Sequence, residues 1–215
     1  MPIHASASSP RTHSLPVRTR ILRQARVDFF SLGYSRFTMD ELASELGMSK
    51  KTLYVHFAGK DEIIGAVIQD LGAEVRANAE TILANRDLNF AEKLRDFADS
   101  VMERLAQLDP RTLRDLERFA PDLFALIDEV RRKNIPYIFG RLVEEGRTAG
   151  MVRGDAPAAF AIEFFLQAMH GLQQGGTLQR LGLTPREVIA RGIDLFFGGL
   201  LTPAGHKQYE KLSPR

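Results

Sequence analysis

Apolar residues in this chain recur at three- and four-residue steps from Val17 to Leu200, and no stretch sustains the every-second-residue alternation of a half-buried strand. Such a chain buries its apolar stripes helix against helix, so the sequence predicts an all-α fold. In the first helix, expected over about 17–32, Ile21, Leu22, Ala25, Phe29 and Phe30 share one stripe, with Arg18, Arg20, Arg23 and Arg26 largely outside it. Gly33 is placed to end it. Thr38 followed three residues later by Glu41 has the capping-box spacing, which sets a second helix at about 39–46. Gly47 permits a tight turn, and Ser49 can cap a third helix running from Lys50 to about Phe57.

Further helices are expected at about 61–83, 90–108, 110–118, 121–149, 155–178 and 185–200, about nine in total, with fraying from Thr202 onward. The 215 residues fit a small module followed by a larger one. The boundaries read as a disordered basic arm over 1–16, a three-helix helix-turn-helix domain over 17–60, a helical domain over 61–202 and a tail over 203–215. Charge divides along the same line. Residues 1–60 hold nine Lys/Arg against four Asp/Glu, whereas residues 61–215 hold twenty against twenty-three. The basic end is the candidate for touching a polyanion.

Several chemistries are set aside by composition. Without cysteine there is no disulfide framework, thiolate nucleophile or cysteine-ligated metal. The longest apolar runs, such as 195–201, fall far short of the roughly 20 residues of a membrane helix. Residues 1–16 do not read as a secretory signal, so a cytoplasmic protein is expected. The five histidines, at 4, 13, 56, 170 and 206, form no His-x-x-His spacing, and no nucleophile elbow or phosphate-binding glycine loop is present. Neither an enzyme nor a cofactor is expected. Asp128 with Arg132 and Glu129 with Lys133 have the spacing of surface ion pairs rather than of catalytic carboxylates.

Two short helices joined by a glycine turn allow one to cross the phosphate backbone while the next enters the major groove. Lys50, Lys51, Thr52, Tyr54 and His56 supply donors for phosphates and base edges, while Leu53 and Phe57 face the core. The capped starts of the third helix, at Ser49, and of the fourth, beside Lys60, can both meet phosphate. The whole segment Phe37-Thr-Met-Asp-Glu-Leu-Ala-Ser-Glu-Leu-Gly-Met-Ser-Lys-Lys-Thr-Leu-Tyr-Val-His-Phe-Ala-Gly-Lys-Asp-Glu-Ile-Ile64 resembles the DNA-binding domain of TetR/AcrR-family regulators. The resemblance implies that Lys50, Lys51, Thr52 and Val55 approach bases, that Tyr54, His56 and Lys60 meet phosphates, and that Thr38 holds a phosphate. Some members also read a base from an Arg early in the second helix, where this chain has Met39, Asp40 and Glu41.

In the larger domain, Phe97, Met102, Phe119, Phe124, Tyr137, Phe165, Met169 and His170 are the candidate ligand-binding residues. A cavity among them would take a small apolar or amphipathic effector, oriented by groups such as Tyr137, Gln167, His170 and Gln173. The resemblance implies that the last two helices form a four-helix homodimer interface, for which Phe164, Ala168, Gly171, Gly175, Ile189, Ile193, Phe196 and Phe197 are candidates. Such a dimer would bind double-stranded DNA at a palindromic operator, and an effector would release a repressor from it. A ligand-independent DNA-binding and dimerisation protein that recruits a protein partner fits the same sequence.

Overall fold

The computed structural model describes residues 16–107, 111–173 and 176–211. The expected arm up to residue 15, Gly175, the Gln173 side chain and the last residues of the tail lie outside them. Eleven helices follow in order: α1 (Val17–Leu32), α2 (Met39–Glu45), α3 (Lys50–His56), α4 (Lys60–Ala84), α5 (Phe90–Ala106), α6 (Thr112–Phe119), α7 (Pro121–Thr148), α8 (Ala158–Gln173), α9 (Thr177–Leu181), α10 (Pro185–Leu200) and α11 (Pro203–Glu210). Among the described residues the only β pairing is an isolated bridge between Val152 and Leu201.

The count exceeds the expected nine for two local reasons. The helix expected over 155–178 ends at Gln173, and Gly176, at φ 70°, precedes the separate α9. The tail expected to fray is helical over Pro203–Glu210. Thr202 caps that helix by accepting from the Gly205 amide, and Pro203 occupies a first-turn position where its missing N–H costs nothing. Its Gly205 packs against the Met151 carbonyl so closely that a Cβ there would sit 2.2 Å from the oxygen.

Around the glycine turn, the Thr38 hydroxyl accepts from the Glu41 amide, but the Glu41 carboxylate accepts from that hydroxyl and not from the Thr38 amide. The expected box is therefore half formed. Complete boxes occur at Asn89–Glu92 and Thr184–Glu187, opening α5 and α10. Gly47, at φ 62°, makes the turn between α2 and α3, and Ser49 accepts from the Thr52 amide at 3.0 Å.

Two apolar cores result. The first gathers Ile21 and Phe29 of α1, Leu42 of α2, Leu53 and Phe57 from α3 and its end, and Ile63, Ile64 and Val67 of α4. It reaches past residue 60 to include Leu116, Ala120 and Leu123 around the α6–α7 junction. The second centres on Phe139 of α7, whose ring lies 5.0–6.2 Å from those of Phe97, Phe165, Phe196 and Phe197. α4 serves both cores and crosses α7 closely at Gly72, where a Cβ would lie 2.3 Å from Val130. Asn134 of α7 donates to the Gly72 carbonyl at 2.7 Å and fixes that crossing. Asp115 of α6 accepts from Ser35, tying the loop after α1 to the larger half.

Candidate nucleic-acid interface and sensor cavity

Leu53 and Phe57 anchor α3 in the first core, and their burial turns the opposite face outward. That face carries Lys51, Thr52, Tyr54 and Val55, all exposed, with His56 half-buried beside them. Tyr54 and Val55 remain 51% and 75% accessible, an unusual concentration of apolar area on a seven-residue basic helix. Lys50 reaches back to Asp40 of α2, at 2.5 Å, in an exposed ion pair. Ser49 shares a hydroxyl contact of 2.8 Å with Thr52, and the Thr38 hydroxyl donates to Glu41. At the start of α4, the Lys60 ammonium donates to the Tyr34 carbonyl and lies 3.9 Å above the Tyr34 ring. The Tyr34 hydroxyl donates to Asp61 at 2.6 Å, and burial together with that carboxylate pushes its pKa up to about 12. Arg18 stacks over Phe57 at 4.4 Å, adding a cation beside α3. The nine candidate DNA-contact residues thus lie on α3 and at the starts of α2 and α4.

Behind this face, Asp28 of α1 is buried close to Glu45 and Glu41 of α2, and Gln24 donates to both Asp28 and Glu45. Burial is the main cause that raises its pKa to about 6, with the two glutamates adding to it against the Gln24 hydrogen bond. Because the folded state holds this proton more tightly than an unfolded chain, its stabilising effect is complete below about pH 4 and lost as pH rises through about 6. Asp28→Asn is therefore expected to raise stability at pH 7.5 by about 1 kcal/mol after solvent screening, or roughly 2–4 °C in Tm, and to change little at pH 4. Equal losses at both pH values in thermal melts would overturn this assignment.

Between the two cores lies a cavity of about 270 Å³. Its wall includes Phe29 and Phe30 of α1, Val75 of α4, Leu116 of α6, Ile138 of α7, and Ile189 and Ile193 of α10. Of the candidate ligand residues, Phe97, Phe165 and Met169 line it. The other five stand elsewhere. Met102 packs half-buried against the second core, Phe124 against the first, and Phe119 is 53% exposed. Tyr137, one position before the lining residue Ile138, packs half-buried against the second core, with Arg76 3.7 Å over its ring and Arg141 donating to its hydroxyl. His170 places Nδ1 3.2 Å from Asp128, which also accepts from Arg132. The missed cavity residues are chiefly aliphatic ones on α4, α6 and α7, whose spacing resembles that of any buried stripe.

The candidate dimer residues divide similarly. Phe164 is 67% exposed and stacks with Phe160, and Gly171 faces open space. Ala168 is half-buried. Ile189 and Ile193 face the cavity, while Phe196 and Phe197 are core residues of a single chain, so they do not form the outer face. On α10 that face carries Leu195, at 78% exposure, and the open Gly198 and Gly199. Among the described residues, no helix is long and apolar enough to cross a membrane, and no cluster of three or more His, Asp or Glu could hold a metal.

Residues 21–67 match the sequence model described as bacterial regulatory proteins, tetR family. The chain is 26% identical over 168 residues to YvaF, an uncharacterised HTH-type transcriptional regulator of Bacillus subtilis strain 168, spanning 78% of this chain and 87% of that one. It is 24% identical over 197 residues to the HTH-type transcriptional regulator UidR of Escherichia coli K12, with 89% and 96% covered. Its fold is similar to that of SmeT, the repressor of the Stenotrophomonas maltophilia multidrug efflux pump SmeDEF, at TM-score 0.62 and 17% identity over 89% and 93% of the two chains. The SmeT–triclosan complex gives TM-score 0.61 at 16% identity over 87% and 93%. Within that matched segment α3 is basic and outward-facing: residues 21–67 carry a TetR-family DNA-binding domain, and over most of its length the chain is similar to HTH-type transcriptional regulators.

Proposed function

We propose that the protein is a cytoplasmic, homodimeric repressor that binds a palindromic operator through α3 and is released from it by a small apolar or amphipathic effector in the cavity. The observation that carries this reading is the make-up of the cavity wall. Phe29 and Phe30 belong to α1 of the DNA-binding half, whereas Ile189 and Ile193 belong to α10, whose opposite face is exposed. A ligand that presses on both would change how the recognition helices are held relative to the dimer axis. A continuous core without such a void would instead have favoured the ligand-independent reading. A neighbour of similar fold holding triclosan supports the same assignment.

Selection from a random duplex library with the purified protein tests the DNA side: a two-fold symmetric motif is expected, and recovery of no motif overturns the reading. Replacing both Phe164 and Leu195 by Asp is expected to yield a monomer in light scattering. Operator binding should weaken by about two orders of magnitude as the second half-site contact becomes independent. A stable dimer in that variant overturns the interface.

A further inference from the structure

Val55 is 75% exposed, and among the described large apolar side chains only Leu195 is more so. Leu195 and the two others of comparable exposure, Phe160 and Phe164, lie on α10 and α8 at the proposed dimer face, whereas Val55 stands on a basic helix. Its direction follows from the anchoring of α3. Leu53 and Phe57 are buried in the first core, and at about 100° per residue their midpoint lies directly opposite Val55. On the same wheel, Lys51 and Thr52 stand about 40° and about 60° to either side of Val55, and Tyr54 and His56 about 100° to either side. Tyr54 is half exposed and His56 half-buried, in keeping with that placement. Seated in a major groove with its free face inward, α3 puts Val55 at the floor, Lys51 and Thr52 beside it, and Tyr54 and His56 toward the two walls. A valine holds essentially one χ1 rotamer in a helix, so its two methyls are presented at a fixed place. They neither donate nor accept a hydrogen bond, and the major-groove edges of the bases offer one apolar group, the thymine C5 methyl. Elsewhere on those edges the isopropyl would cover a donor or acceptor without replacing its water.

We propose that Val55 reads a thymine in each half-site by packing its methyls on the C5 methyl of that base. This inference rests on the reading of α3 as the helix that enters the operator, and adds one base that each half-site must carry. Charge supports the occupant: residues 1–60 hold nine Lys/Arg against four Asp/Glu, and Lys51 lies one turn from Val55 on the same face. The apolar contact at the floor discriminates between bases, while the polar residues around it hold the backbone.

The test starts from the operator recovered by selection with the full-length protein. Each thymine of the half-site is replaced in turn, in both halves, by deoxyuridine, which lacks only the C5 methyl, and affinity is read by fluorescence anisotropy. One symmetric position is expected to lose about fourfold per half-site, roughly fifteenfold for the pair, as one buried methyl is removed from each. Val55→Ala should weaken binding to the thymine operator by at least that factor. It should also no longer distinguish thymine from uracil at that position, while other thymines respond as before. Alanine at an exposed helical position has the higher helix propensity, so the variant folds, which its melting curve checks. If every uracil substitution changes affinity by less than about twofold, the thymine contact is overturned and α3 keeps its operator role. The same holds if the sensitive position stays equally sensitive in Val55→Ala. If selection recovers no two-fold motif, the operator reading falls together with this one.

Discussion

Phe139→Ala is expected to cost about 3–5 kcal/mol and to lower the melting temperature by on the order of 10 °C, as measured by the helical circular dichroism signal. The ring is buried and meets four other phenylalanines from α5, α8 and α10, so its removal opens space on all sides of α7 at once. It also contributes to the cavity wall, and the void left behind would merge with space already present. Phe139→Leu retains most of the apolar contact and should lose about half as much or less. A loss below about 1 kcal/mol for the alanine variant would mean that these rings do not form a packed cluster.

Lys51→Ala and Tyr54→Ala are each expected to weaken operator binding by about 1–3 kcal/mol per contact, roughly tenfold or more, without altering dimerisation. Both side chains are exposed, so the melting temperature of the free protein should stay within about 0.5 kcal/mol equivalent of the original. That contrast is the purpose of the pair: a DNA-contact role changes affinity alone, whereas a packing role changes stability too. Removing the lysine should also reduce the salt dependence of binding if it meets phosphate, or relax base preference in each half-site if it meets an edge. Unchanged affinity in both variants, measured by fluorescence anisotropy on the selected operator, would overturn the assignment of α3.

The N-terminal half was legible because its signals are local. Gly33, Thr38, Gly47 and Ser49 each mark a helix boundary through their own backbone or side-chain chemistry, and those boundaries appear where the residues stand. The helix α11 was missed because Pro203 and Gly205 read as breakers, although proline is tolerated in a first turn and Thr202 supplies the cap. Helix phase was harder. Around Leu195-Phe-Phe-Gly-Gly-Leu-Leu201, α10 is apolar on most of its circumference, so periodicity alone does not distinguish the inward Phe197 from the outward Leu195.

The cavity was the least legible feature. A void is defined by what several distant side chains together fail to fill, not by the type of any one residue. Aromatic enrichment found Phe97, Phe165 and Met169, but it also selected Phe119, which faces outward, and Phe124, which packs on the first core. The contribution of Phe29 and Phe30 was hidden for a different reason: their stripe is explained by the first core, and only the tertiary arrangement gives them a second surface.

That double membership sets a symmetry on regulation. If an occupant of the cavity loosens the protein's hold on its operator by some factor through α1, the operator must loosen the hold on the occupant by the same factor. Protein already seated on DNA would then respond to a higher effector concentration than free protein does. The threshold for derepression would rise with the number of operator copies, and dose-response curves measured on free protein would understate it.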